Sequence, residues 1–234
     1  MLDVMAGGAR LLLLPQRAAY LPAAAALLIA DAHIGKAQSF RRLGVPVPGG
    51  TTQGTLQRLS EAVAATGARH IVFLGDLLHA ARGRTATTLA TVAAWREQHA
   101  DLQLTLVRGN HDRHAGDPPP DWRVHSVPEP FVLPAAPGLA LCHHPDHQLD
   151  HHPEPHDAPG RYVLAGHIHP SAVIHGRGHE RLRLPCFHFG ARVGVLPAFG
   201  EFTGTHVLPR GPQDRVYVST GDAVRELPRL HCLG

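Results

Sequence analysis

The chain has 234 residues, of which 44% are hydrophobic and 18% charged, enough to bury a substantial core in one domain or two small ones. That balance excludes collagen-like and disordered classes, and no apolar stretch reaches the roughly 18–20 residues that a membrane span requires. A formal charge of +3 and a pI near 9.1 allow a polyanionic partner without demanding one. Histidine is the outlier, with 20 copies against 22 Lys and Arg together. Three cysteines, Cys142, Cys186 and Cys232, form no C-x-x-C pair. An odd count without that spacing argues against a disulfide framework or zinc knuckle and favours a reducing compartment. No basic segment precedes the first apolar run, so a cytoplasmic location is expected.

In chain order, residues 10–14 and 27–30 read as two strands joined by a Pro-containing turn. The second is apolar throughout, as in a strand covered on both faces. A basic, Gly/Pro-rich loop follows over 40–50, then Leu56, Leu59 and Val63 at helical spacing, with threonines to cap the start and Gly67 to end it. Residues 70–74 are a further buried strand, 85–99 a helix carrying Leu89, Val92, Ala93 and Arg96, and 102–107 another strand. Strands alternating with helices predict a largely parallel sheet. After Pro118-Pro119-Pro120 the pattern changes to short runs between Gly/Pro turns: 124–127, 131–133, 139–142, 162–165, 172–174, 182–184, 205–208 and 216–218. These predict a second, more antiparallel sheet packed on the first. The loop 143–160 is too polar to be core, and His144, His147, His151, His152 and His156 within it read as exposed. There is no internal repeat and no linker, so one domain over 1–234 is expected.

Five of these strands end in polar clusters: Asp31-x-His33, Gly75-Asp76-x-x-His79, Gly109-Asn110-His111-Asp112, Cys142-His143-His144 and Gly166-His167-Ile168-His169. The carboxyl edge of an open α/β sheet is where ligands and chemistry collect. Asp, Asn and His without thiolate suit a borderline-to-hard divalent ion such as Mn²⁺, Fe²⁺ or Zn²⁺. The set offers more ligands than one ion can use, which points to two ions about 3.5–4 Å apart that share a carboxylate.

The ordered set D-x-H, G-D-x-x, G-N-H-D, a single His and G-H-x-H resembles the calcineurin-like metallophosphoesterase superfamily over roughly residues 27–190. The resemblance implies a four-layer α/β/β/α sandwich, two mixed sheets flanked by helices, with two divalent metal ions at the strand ends. It implies Asp31, His33, Asp76 and His169 around one metal and Asp76, Asn110, His143 and His167 around the other, with Asp76 bridging. His143 rather than His144 stands where the family has its fourth-motif ligand. In such a centre a hydroxide bridging the cations would be the nucleophile. His111, one residue past a ligand, would be the general acid, or else merely orient phosphate, and Asp112 would fix its loop.

Phosphoprotein phosphatases of the superfamily carry Asp where this chain has His79. Gly-Asp-Leu-Leu-His is similar to double-strand-break repair nucleases, whose histidine there contacts substrate phosphate; a buried structural histidine is the other reading. Arg41, Arg42, Arg108 and Arg113 are candidate ligands for substrate phosphates, with Lys36, Arg82 and Arg84 also near the motifs. Beyond Phe40 there is little aromatic interleaving, so base stacking is not a visible feature. The stretches 29–36, 39–46 and 192–202 resemble bacterial ligase-associated DNA-damage-response metallophosphoesterases. That family implies a manganese-dependent phosphodiesterase and single-strand DNA endonuclease in DNA repair, linked to a helicase, an exonuclease and a DNA ligase. DNA as substrate rests on this resemblance. The alternatives are a small-molecule phosphoesterase or nucleotide-diphosphate hydrolase, and a scaffold that kept the fold without catalysis.

Overall fold

The computed structural model describes residues 1–146, 160–176 and 180–229. The expected exposure of His147, His151, His152 and His156, and Cys232, lie outside the described residues. The first sheet runs in chain order: β1 (Leu2–Ala6), β2 (Ala9–Leu13), β3 (Ala19–Leu21), β4 (Ala26–Ile29), β5 (His70–Leu74), β6 (Gln103–Val107) and β7 (Val124–Val127). Strands β1 to β4 pair antiparallel and β4 to β7 parallel. The switch follows from the connections, since tight turns join the antiparallel strands while parallel neighbours need long crossovers. Helices α1 (Lys36–Arg41) and α2 (Thr51–Thr66) cross from β4 to β5, and α3 (Ala86–Gln98) crosses from β5 to β6. A short helix, α4 (Asn110–Ala115), follows β6.

The second sheet contains β8 (Leu139–Leu141), β9 (Tyr162–Ala165), β10 (Pro170–His175), β11 (Arg181–Phe189), β12 (Val193–Val195), β13 (His206–Val207), β14 (Arg215–Ser219) and β15 (Val224–Glu226). Its order is β13-β10-β11-β12-β9-β8, with β14 paired to β11 and β15 to β14. It is mixed: β8, β9 and β12 are parallel, while β11 runs antiparallel to β10, β12 and β14.

Alternation along each strand builds the layers, because successive side chains point to opposite faces. Leu28, Val72 and Leu74 meet Leu141, Leu164, Phe187 and Phe189 between the sheets. Their neighbours Leu27, Ile29, Ile71 and Phe73 turn the other way, onto Leu56, Leu59 and Ala62 of α2 and Val92 and Trp95 of α3. Each buried Val, Leu, Ile or Phe among them contributes about 1.5–3 kcal/mol. Two mixed sheets with flanking helices are the architecture the resemblance implies. Among the described residues, all four α-helices fall in the first half of the chain.

Several expectations are corrected. Residues 124–127 extend the first sheet rather than open the second, and 131–133 form no strand, only a single bridge from Phe131 to Leu141. The threonines do not cap α2: Gly50 precedes it in a left-handed conformation, and the Thr55 hydroxyl donates back to the Thr51 carbonyl. Gly67 does end that helix, at φ 65°. The turn between residues 14 and 27 holds an extra strand, β3, and the basic loop is preceded by α1.

Candidate metal centre

The parallel strands β4, β5 and β6 deliver their carboxyl ends to one edge of the first sheet, and β8 and β9 do the same in the second. The edges are stitched together: the His167 amide donates to Asp31 Oδ2 at 2.9 Å, and the Phe199 amide to the Ala30 carbonyl at 2.8 Å. All seven sequence-nominated ligands therefore converge on one spot. Five of them, Asp31, His33, Asp76, His167 and His169, have positive φ between 44° and 70°. An L-residue held there costs on the order of 1–3 kcal/mol and persists only where the surroundings over-determine it. Backbone bonds do so: His33 N–H to the Asp76 carbonyl, Gly200 N–H to Asp31, and His206 N–H to His169. The glycines beside the motifs are there for space. A Cβ on Gly75 would run into the His143 ring, and one on Gly109 into Asp76 Oδ1.

Two donor sets emerge. In the first, His33 Nε2 faces His169 Nε2 at 3.2 Å, Asp31 Oδ1 lies 3.6 Å from His169 Nε2, and Asp76 Oδ2 lies 3.8 Å from His33 Nε2. In the second, His143 Nε2 stands 2.8 Å from Asn110 Oδ1, 3.0 Å from His167 Nδ1 and 3.5 Å from Asp76 Oδ1. The two oxygens of Asp76 thus point to different sets. His143 and His169 each donate Nδ1–H to a backbone carbonyl, Leu74 and Gly204 respectively, at 3.0 Å. That bond leaves the Nε2 lone pair facing the site, the arrangement that orients a metal-ligating imidazole.

Electrostatics point the same way. Burial first, then Lys36, drives the His33 imidazole far below its usual pKa, and burial also lowers His143 and His167. All three are held neutral, the form that binds metal. Burial, then the charge of Asp31, raises Asp76 to about 6, while Asp31 Oδ1 is buried with no hydrogen-bond partner. Facing lone pairs, two adjacent buried acids and an orphaned carboxylate oxygen are a site short of positive charge, and a divalent cation fits it.

His111 sits beside this centre with its ring against His79, centroids 4.7 Å apart. Its Nδ1–H donates to the His79 carbonyl at 2.9 Å, leaving Nε2 free. Burial, then Lys36, lowers His79 to about 4, so it meets a ligand as a neutral imidazole. Asp112 accepts from the amides of Asp76, Leu78 and Gly109 at 2.7–3.1 Å, tying the second motif to the third.

The arginines divide. Arg41 is engaged inside its own loop, donating to the Val47 and Pro48 carbonyls and to Gln38 Oε1. Arg84 likewise holds the carbonyls of Ala115 and Asp117. Arg42 is exposed. Arg108 pairs with Asp117 at 2.6 Å, and with Arg113 and His144 it lines a cleft of about 530 Å³ on the His143 side.

Sequence reading missed Glu129. Its carboxylate accepts from the amides of His143 and His144 and pairs with the His144 ring at 2.7 Å. His144, expected to be exposed, is instead half-buried, its ring 4.7 Å from that of His143 and 4.8 Å from that of His167, so that these three histidines could also share an ion. Nothing local marks Glu129 for its task. Cys142 packs with Ala140, Val163 and Ala165, and burial pushes its thiol up to about 12.

No family model matches the chain, and no curated protein does. Among solved structures, the crystal structure of Pseudomonas putida nuclease MPE is 42% identical, matching 97% of this chain and 99% of that one with a TM-score of 0.79. Yfce, a phosphoesterase from E. coli, aligns over 86% of this chain and 97% of its own at 16% identity, with a TM-score of only 0.38. No helix among the described residues is long and apolar enough to cross a membrane. With more than two residues in five shared over nearly its whole length, the chain belongs to the metallophosphoesterase family and is an enzyme of phosphoester chemistry.

Proposed function

We propose that the protein is a dinuclear-metal phosphodiesterase that cuts single-stranded DNA internally. The observation that carries this reading is Asp76, whose two carboxylate oxygens address separate donor sets. Asp31, His33, Asp76 and His169 would hold one ion and Asp76, Asn110, His143 and His167 the other. Two divalent cations, Mn²⁺ by preference with Fe²⁺ or Zn²⁺ also suited to these donors, would supply an activated water and neutralise phosphoryl oxygens.

The chain's own residues do the rest. His111, oriented through Nδ1 by the His79 carbonyl, presents Nε2 to the departing oxygen and gives it a proton. Asp112 holds the loops of Asp76 and His111 in register. His79 offers a neutral N–H to a phosphate oxygen. Arg108, Arg113 and His144 receive the next phosphate in their cleft, and exposed Arg42 meets the strand further out.

A nucleic acid substrate is supported by the 42%-identical Pseudomonas putida nuclease. Single-strand preference and a repair role alongside a helicase, an exonuclease and a DNA ligase follow from the family resemblance; a cytoplasmic location follows from the cysteine pattern, and function as one domain from the lack of a linker. The test is cleavage of circular single-stranded DNA by metal-stripped protein, with and without Mn²⁺, beside His111→Ala and Asp76→Ala. A circle has no ends, so Mn²⁺-dependent linearisation lost in both variants is the expected result. An intact circle with a small diester still hydrolysed would replace DNA by a small-molecule substrate.

A further inference from the structure

The site has an apolar flank that phosphate chemistry does not use. The Phe40 ring stacks on His79 with centroids 6.1 Å apart and planes 30° apart, continuing the stack of His79 on His111. Phe202, brought in from the loop after β12, meets Phe40 edge to face at 5.6 Å. Both phenylalanines are only half-buried. On the same turn, Leu43 is 61% and Val45 42% exposed.

This flank is built rather than frayed. The Leu43 and Val45 amides both donate to the Phe40 carbonyl, and Arg41 clamps the far side of the loop through Val47 and Pro48. A rigid aromatic surface ending a ring stack that starts at the proposed general acid costs little ordering to bind a flat apolar face. Every nucleobase has such a face. The Arg108–Arg113–His144 cleft lies beside His143, while the rings lie beside His79 and His111, so a strand reaching both would meet cations at one and rings at the other.

We propose that Phe40 and Phe202 form a base-stacking subsite that seats a nucleobase next to the phosphate being cut. This rests on the reading of the protein as a DNA phosphodiesterase. The experiment compares, for each enzyme, KM on an ordinary single-stranded oligonucleotide and on one of equal length made of abasic residues. Wild type is expected to prefer the base-bearing strand by about tenfold or more, in the range of one or two stacked bases. Phe40→Ala and Phe202→Ala should each reduce that ratio severalfold, and Phe40→Trp should keep it. Because the ratio is taken within one enzyme, a general loss of activity does not move it. Equal cleavage of both strands by wild type, or an unchanged ratio in both alanine variants, would overturn the subsite while leaving the nuclease reading intact. No cleavage of either strand, with a small diester still hydrolysed, would overturn both. An unchanged ratio together with a loss of self-association in Phe40→Ala would assign the surface to a second copy of the chain instead.

Discussion

The two ends of the first sheet bury polar side chains in opposite ways. At the amino ends of β5 and β6 the ionisable groups all have partners, and among the described residues there only the Trp122 indole N–H goes without one. His70 bonds Thr105 at 2.9 Å, Ser60 takes the Trp95 indole N–H and contacts His99, and the buried Arg96 guanidinium donates to the carbonyls of Leu102, Trp122 and His99. At the carboxyl ends, ring nitrogens face one another, two acids stand side by side, and Asp31 Oδ1 has no partner. Both sets are histidine-rich and buried, so burial and residue type do not distinguish a structural cluster from a functional one. Satisfaction of the buried acids does: an unpartnered carboxylate oxygen beside a second buried acid is costly, and a bound cation relieves that cost.

The sharpest way to break this comparison is Asp76→Asn. It should cut phosphodiesterase activity by about a thousandfold, the scale set by losing a preorganised charged group at the reaction centre. In metal-free protein it should hold or raise Tm, because it removes the repulsion with Asp31 that helps lift Asp76 to about 6. Mn²⁺ at about a hundred times its Kd should stabilise wild type by roughly 2.7 kcal/mol and the variant much less. Calorimetry with and without Mn²⁺ reads all of this, and a variant that melts early without metal would make Asp76 a structural residue. At the opposite end the pattern should invert. Ser60→Ala strands the Trp95 N–H and should cost roughly 1–2 kcal/mol in urea denaturation while leaving kcat unaltered; a change in kcat would show that the two ends are coupled.

The smallest effect is a pH dependence. Burial lowers the His70 pKa below its ordinary value of about 6.5, so below that pH the unfolded chain takes up a proton that the folded chain does not. The stability His70 contributes is fully present above about pH 6.5 and is lost as pH falls beneath it. Asp76 and Asp112, both raised to about 6, act with the opposite sign between about pH 4 and 6, but they are common to both proteins in a comparison with a His70 variant. His70→Gln, whose amide can still reach Thr105, should therefore show a smaller drop in Tm from pH 7 to pH 5 than wild type. Parallel curves would mean that His70 titrates normally.

By itself the sequence determined the parts of this protein whose physics is local. Strands β4 and β9 are buried on both faces and so are written as continuous apolar runs, as is β5 beyond His70, while β6 keeps polar residues only at Gln103 and Thr105. The breaks into Asp31, Asp76, Asn110, His143 and His167 stand out because ligand-type residues interrupt those runs at a sheet edge. Strands β3, β12 and β15 escaped notice because three residues carry too little periodicity, and β1 because Leu2-Asp3-Val4-Met5-Ala6 alternates too weakly to stand out. Only the tertiary structure decided which nitrogen of each histidine faces the site, since distant carbonyls such as Leu74 and Gly204 choose it. It decided, too, that Arg41 ties its own loop together, that Glu129 anchors the fourth motif, and that Phe202 joins Phe40. In each case what a side chain does is set by what it touches, and the partner comes from elsewhere in the fold, where no spacing along the chain records it.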